Sequence, residues 1–314
     1  MARIWDAEEV VEADKARALI AGQFPDIDAA HLERLGVGFD NTAYLVDGAY
    51  VFRFPRRRVA VAPLTTESAV LPKLAGRLPL ATPLPLWVGV PADGYPWPFA
   101  GYRYLAGRTA CSADLDESQR AKATGVLARF LRTLHGLPAA GCSLPGETLG
   151  RLDIARRLPK ALEFLQEVVA LGYWEDGTEI AGILSSAETL NSAKMLNSSG
   201  LVAGQAPAPA IVHGDLYSRH LLVNAAGELE AVIDWGDIHL GDRALDLSVA
   251  WSFLPRRCHE EFRREYGEID ERTWLLARFR ALYVSLVLIS YGHDRGDEAL
   301  VRAGQQSLRY MTDA

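Results

Sequence analysis

The chain has 314 residues, 49% of them apolar and 23% charged, so it is folded rather than disordered and can bury a core of one large or two smaller domains. A net charge of −7 at pH 7 argues against a basic nucleic-acid-binding surface and is compatible with a cationic partner. The 3 cysteines, Cys111, Cys142 and Cys258, lie far apart with no Cys-x-x-Cys, which excludes an obvious zinc site or disulfide framework and makes a reducing cytoplasm the simplest location.

Residues 6–24 read as a helix, with Asp6 as cap and Glu9 completing a capping box, and lack the basic start and apolar centre of a signal peptide. Residues 35–46 are strand-like around a glycine turn, and 49–54 alternate as a second β-rich run; Asp47-Gly48 between them is a hairpin signal. A short helix at 65–74 is limited by Pro72. The proline-rich stretch 79–98 holds a short strand at 86–90, and 99–105 is another strand.

After Gly107 the character becomes helical. Residues 117–135 place Leu127, Phe130, Leu131 and Leu134 on one face; 153–171 is a second amphipathic stretch, with Pro159 at a start or a kink, and 181–195 a third. Residues 197–209 read as a loop. A hairpin made by 221–224 and 229–233 follows. Asp270 caps a long helix at 271–290, and a last helix runs over 298–311. The apolar run at 281–291 is interrupted by Ser285 and Ser290 and is too short to span a bilayer, so no membrane segment is expected. The pattern is α+β: a small β-rich lobe at 1–104 and a larger helical lobe at 105–314. Oligomeric state, monomer or dimer, is left open.

The chemistry concentrates in Ile211-Val212-His213-Gly214-Asp215-Leu216-Tyr217-Ser218-Arg219-His220 and Val232-Ile233-Asp234-Trp235-Gly236. A strand leads into an acidic loop, and the hairpin brings the chain back to a second acid. Phosphoryl transfer uses such a set: one carboxylate orients and deprotonates a hydroxyl, and the others hold the magnesium that neutralises phosphate charge. Asp and Gly are also ordinary turn residues, and an isolated Asp-x4-His carries no such meaning. The ordered succession of strand, loop, hairpin and Asp-Trp-Gly gives it one.

This succession resembles the protein-kinase catalytic loop, and more closely its antibiotic-kinase branch, the aminoglycoside and macrolide phosphotransferases. His-Gly-Asp-Leu-Tyr with a histidine at the metal position is especially similar to the macrolide 2'-phosphotransferases. The resemblance implies a bilobal protein-kinase-like fold and transfer of the γ-phosphoryl group of ATP or GTP to a hydroxyl of a small molecule. The acceptor is then a macrolide or aminoglycoside antibiotic, which transfer inactivates. A metabolic kinase of an amino alcohol or sugar, and a non-catalytic nucleotide-binding pseudokinase, are the alternatives. It makes Asp215 the catalytic base, Asp234 a magnesium ligand, and His213 and Asp246 supports of the loop. His220 either ligates the metal, acts through a bound water or packs; magnesium prefers oxygen, so this is the informative departure. We expect His220 to touch the metal or its water shell. His135, in Leu-His-Gly-Leu, reads as a satisfied helix-end residue.

Nucleotide contacts fall in the first lobe. Gly36, Gly38 and Asn41, in Leu-Gly-Val-Gly-Phe-Asp-Asn, stand where backbone amides cover phosphates, although a plain hairpin turn explains two glycines equally well. By resemblance Arg53 takes the place of the phosphate-binding lysine, with Glu67 on the next helix as its partner. Strand alternation sets Arg53 opposite Phe52 and Phe54, and Arg56, Arg57 and Arg58 are assigned to solvent. The backbone of Arg103 and Leu105 would receive the purine. For the acceptor, Glu163, Glu167, Glu175, Asp176, Phe164, Tyr173 and Trp174 are available, most of them read as surface charges and core aromatics.

Overall fold

A computed structural model of the chain describes residues 7–38, 40–186 and 208–312. Backbone contacts divide it into two units. The first comprises Met1–Ala106 with Gly141–Leu144 and Val232–Ile238; the second comprises Gly107–Ala140, Pro145–Ala231 and His239–Ala314.

The first unit is built on a five-stranded sheet, β1 (Leu32–Val37), β2 (Asn41–Val46), β3 (Tyr50–Pro55), β4 (Pro85–Gly89) and β5 (Phe99–Arg103), in the order β1-β2-β3-β5-β4. All neighbours run antiparallel. Asp47 and Gly48 both take positive φ, 49° and 62°, the backbone that a two-residue hairpin needs. Strand alternation turns Tyr44, Phe52 and Phe54 inward, where Phe54 stacks on Phe99 at 4.7 Å and the cluster packs on Leu19 and Ile20 of α1 (Ala13–Gln23). The other sheet-side helix, α2 (Val61–Leu74), begins before the expected residue 65 and keeps Pro72 in its last turn.

The first helix is shorter than its sequence suggests. It starts at Ala13, because the backbone N–H groups of Glu8 and Glu9 donate to the carbonyl of Arg56 at 2.9 and 3.0 Å instead of entering a helix. Glu9 pairs with Lys15 at 3.8 Å, and Asp6 lies outside the described residues.

The second unit is mainly helical. Residues 117–135 form two helices rather than one, α3 (Glu117–Lys122), with a complete Asp116/Gln119 capping box, and α4 (Thr124–Gly136). They are followed by α5 (Ile154–Ala170) and a helical stretch α6 at 178–186; the expected helix at 181–195 and loop at 197–209 lie largely outside the described residues. Short strands β6 (Arg108–Thr109), β8 (Leu221–Val223) and β9 (Leu229–Val232) form one small sheet, and β7 (Ala210–Val212) pairs with β10 (His239–Gly241) in another. The chain closes with α7 (Ala244–Phe253), α8 (His259–Tyr266), α9 (Glu271–Arg295) and α10 (Glu298–Thr312).

Asp270 caps α9 by accepting from the Thr273 N–H at 2.9 Å. Contrary to the reading of the apolar run, α9 is long and apolar enough to cross a bilayer, with mean hydropathy 1.4, but 72% of that window is buried inside the protein, which makes it a core helix. The mixed α+β class expected from the pattern is the one observed.

The first passage between units lies at 106/107, and Val232–Ile238 groups with the sheet. The reason is local. Val232 N–H donates to Ala81 carbonyl at 2.9 Å, and Trp235 is fully buried with its Nε1–H on Val232 carbonyl at 2.9 Å.

Candidate active site

The first unit gathers three of the residues singled out in the sequence. Arg53 projects from β3 away from Phe52 and Phe54. Its Nη1 donates to both carboxylate oxygens of Glu67 at 3.1 Å, and its Nη2 donates to Asp234 Oδ1 at 2.6 Å. Glu67, on α2, is fully buried. Burial pushes its carboxyl up to about 7 against the pull of Arg53, and the charge of Asp234 adds to the rise. Burial works to lower the Arg53 pKa, but Glu67 and Asp234 outweigh it and hold the guanidinium firmly charged. Asp234 has φ 63°, in the left-handed region that Asp tolerates better than most side chains, and the buried Trp235 follows it.

The glycine loop belongs to the same unit. Gly36 sits at a register shift of β1, and a Cβ there would meet nothing within 4 Å. Gly38 N–H donates to Asn41 carbonyl at 2.9 Å, and Arg56 Nη1 donates to Gly38 carbonyl at 2.9 Å. Asn41 Oδ1 is buried without a hydrogen-bond donor among the described residues. Arg103 ends β5, with Leu105 two residues on and Tyr104 N–H bonded to Ala49 carbonyl at 2.8 Å. The assignment of Arg57 to solvent does not hold: Arg57 is buried and ion-paired with Asp40, because the chain bends back across the glycine loop after β3.

The second unit carries the Asp215 loop. His213 and Gly214 donate their backbone N–H groups to the carboxylate of Asp246 at 2.7 and 2.9 Å. Gly214 has φ 86°, open to glycine without strain. Asp246, in the first turn of α7, is fully buried, and His135 Nε2–H donates to it at 3.1 Å while His135 Nδ1 accepts from the Tyr266 hydroxyl at 2.8 Å. Burial pushes the Asp246 carboxyl up, but the His135 hydrogen bond, the nearby His135 and His213 rings and the Gly214 amide outweigh it and hold the group below the usual carboxylate range. Asp215 N–H donates to His213 Nδ1 at 3.3 Å. His220 Nδ1–H donates to Asp215 carbonyl at 2.7 Å, which leaves Nε2 as the acceptor nitrogen of that ring.

Sequence reasoning missed two members. His135 was read only as a helix end, and Arg280 of α9, whose Nη2 lies 3.6 Å from Asp215 Oδ1, was not singled out. Leu-His-Gly at a helix end signals its local position, and nothing in the sequence brings it to Asp246.

The family described as "Phosphotransferase enzyme family" (APH) matches residues 31–282, well over half of the chain. The chain belongs to this family. It is a phosphotransferase with an alcohol group as acceptor. Among solved structures, APH(2")-IIia in its GDP and kanamycin complex is similar with 26% identity and a TM-score of 0.64 over 94% of this chain and 97% of that one. The GDP complex of wild-type aminoglycoside 2'-phosphotransferase-IIIa is 25% identical, with a TM-score of 0.65 over 96% and 98%. The apoenzyme of macrolide 2'-phosphotransferase MphH from Brachybacterium faecium shares the fold at 23% identity, with a TM-score of 0.58 over 94% and 98%. The fold of this phosphotransferase is therefore protein-kinase-like.

Several acceptor candidates of the phosphotransferase have hydrogen-bond or ring partners within the chain. Glu167 accepts from the Ser290 hydroxyl at 2.7 Å, Tyr173 bonds His293 at 2.9 Å, and Asp176 accepts from Thr178 N–H at 2.9 Å. Phe164 meets Tyr283 edge-on at 6.2 Å. Among the described residues no three His, Cys, Asp or Glu side chains gather as a ready metal site. His220 and Asp234 belong to different units. The hard carboxylate oxygens of Asp234, 46% exposed, fit magnesium, which takes one or two carboxylates and completes its shell with phosphates and water.

Proposed function

We propose that this phosphotransferase moves the γ-phosphoryl group of ATP or GTP to a hydroxyl of a macrolide or aminoglycoside antibiotic and so inactivates it. The observation that carries the reading is the Arg53–Glu67–Asp234 cluster: a cation held by one buried and one half-exposed carboxylate is what phosphate binding asks of this strand and helix. The antibiotic acceptor is supported by the relatives, one of them solved with GDP and kanamycin and another a macrolide 2'-phosphotransferase. Gly36, Gly38 and Asn41 line the phosphates, and the backbone at Arg103 and Leu105 receives the purine.

Asp215 orients the acceptor hydroxyl and takes its proton. An ordinary carboxylate suffices, because in a loose transition state the proton leaves late and positioning dominates. The hydrogen bonds that the loop amides of His213 and Gly214 donate to Asp246 hold the Asp215 loop in place. Magnesium, when bound, neutralises phosphate charge, with Asp234 as its ligand. His220, its Nδ1–H committed to a carbonyl as metal-binding imidazoles usually are, would serve the metal or its water through Nε2.

The charge around Asp215 favours a macrolide over an aminoglycoside. Arg280 lies beside it, with Arg151 and Arg157 close enough to act on Arg280, and a polycation would be repelled there. The test is a panel of macrolides, aminoglycosides, amino alcohols and sugars with ATP and with GTP, read by mass spectrometry. A macrolide heavier by one phosphoryl group is the expected product. Turnover only of an amino alcohol or sugar would replace the antibiotic reading with a metabolic one.

A further inference from the structure

Arg280 is 8% exposed and carries a guanidinium with five N–H donors. Among the described residues none of these donors makes a hydrogen bond, and its ion pair is the 3.6 Å approach to Asp215 Oδ1. A buried guanidinium ordinarily satisfies its fork with carboxylates or carbonyls, since unpaired buried donors are costly. The neighbouring guanidinium shows the contrast. Arg157 spends its donors on Gly150 carbonyl at 3.0 Å, Leu149 carbonyl at 2.6 Å and the Tyr283 hydroxyl at 3.3 Å. Those partners are all neutral, and Arg157 forms no ion pair with a described carboxylate. Arg151 pairs with Glu147 at 3.3 Å. Burial, with the charges of Arg151 and Arg157, holds the Arg280 pKa down against the pull of Asp215. All of these groups belong to the second unit.

We infer that Arg280 is an oxyanion subsite beside the base: its free fork takes a phosphate- or carboxylate-type oxygen next to Asp215. The planar fork matches either group bidentately. The inference rests on the reading of Asp215 as the base. Two sources supply the same chemistry. One is the phosphoryl group as it is received by the acceptor oxygen, and the other is an anionic group that the acceptor already carries.

The test uses the full chain and inorganic phosphate as the probe, titrated by calorimetry without nucleotide or acceptor. Arg280→Gln weakens phosphate binding by about tenfold or more, the worth of one charge-assisted hydrogen bond. Arg280→Lys falls between, and Asp215→Asn tightens binding because it removes a like charge. A melting transition checks that each variant folds; should Arg280→Gln not fold, the opposed shifts of Arg280→Lys and Asp215→Asn decide the matter. Turnover separates the sources. A fall in kcat with a macrolide that has no acid group assigns the subsite to the transferred phosphoryl group. A fall in kcat/KM confined to small hydroxy acids assigns it to the acceptor. Equal phosphate affinity in the unsubstituted chain and Arg280→Gln, with or without a loss of turnover, overturns the subsite and leaves Arg280 as a support of Asp215. Phosphate binding needs no acceptor, so a chain inactive on every alcohol would defeat the proposed function without touching this result.

Discussion

Arg53 makes three contacts through one planar group, two to Glu67 and one to Asp234. A lysine ammonium is a point charge and cannot span both carboxylates in that plane. Arg53→Lys therefore loses at least one charge-assisted bond and weakens nucleotide binding by about tenfold, measured by calorimetry with ATP and GTP. Asp215→Asn behaves differently: turnover falls by about a hundredfold to ten-thousandfold, the usual worth of a general base, while nucleotide affinity is unchanged. Steady-state kinetics and nucleotide titration on the same preparation check both halves. Retained turnover would remove Asp215 from the role of base.

The Asp215 loop is held at the scale of elements, by α4, α7 and α8 together. Tyr266, His135 and Asp246 form a hydrogen-bonded row that ends on two loop amides. His135→Ala removes a donor from a buried carboxylate and destabilises the chain by about 1–3 kcal/mol in urea unfolding. It also lowers kcat more than it changes the KM for nucleotide, because the loop and not the nucleotide site loosens. Two pH windows follow from the same region. His259, buried against Trp251 and Trp274, has its pKa lowered by burial from 6.5 to about 4. Between those values the unfolded chain binds the proton first, so stability falls as pH drops from about 6.5 to 4, by about 3 kcal/mol in all. The midpoint of urea unfolding followed against pH shows this slope, and His259→Phe flattens it. Asp246, held below the usual carboxylate range, adds its loss at lower pH still, as acid forces a proton onto it.

For the whole molecule, a ligand that binds only the folded state raises its stability in proportion to the logarithm of saturation, about 2.7 kcal/mol at a hundred times Kd. ATP or GTP with magnesium therefore raises the melting temperature, and Arg53→Lys needs about tenfold more nucleotide for the same rise. Much of the molecule was legible before its folding. Periodicity marked the sheet strands, the turn at Asp47-Gly48, the Asp270 cap and the long helices, because each follows from near neighbours in the chain. The ordered motif around Asp215 and Asp234 marked the chemistry, and strand alternation turned Arg53 away from the core. Other features were out of reach. Glu8 and Glu9 were read as helix because nothing local reveals that the Arg56 carbonyl claims their amides. The apolar run of α9 was judged by its interruptions, yet Ser285 and Ser290 are satisfied by Ala281 carbonyl and Glu167, and the helix continues through them. His135 and Arg280 stand 111 and 65 residues from their carboxylate partners. By itself the sequence determined most element types and the family motif, and it singled out the acids proposed to carry the chemistry, since these depend on local backbone preference and residue order. Only the tertiary structure decided what surrounds each acid. Hydrogen bonds, burial and charge act across a few ångströms of space, whatever the distance along the chain.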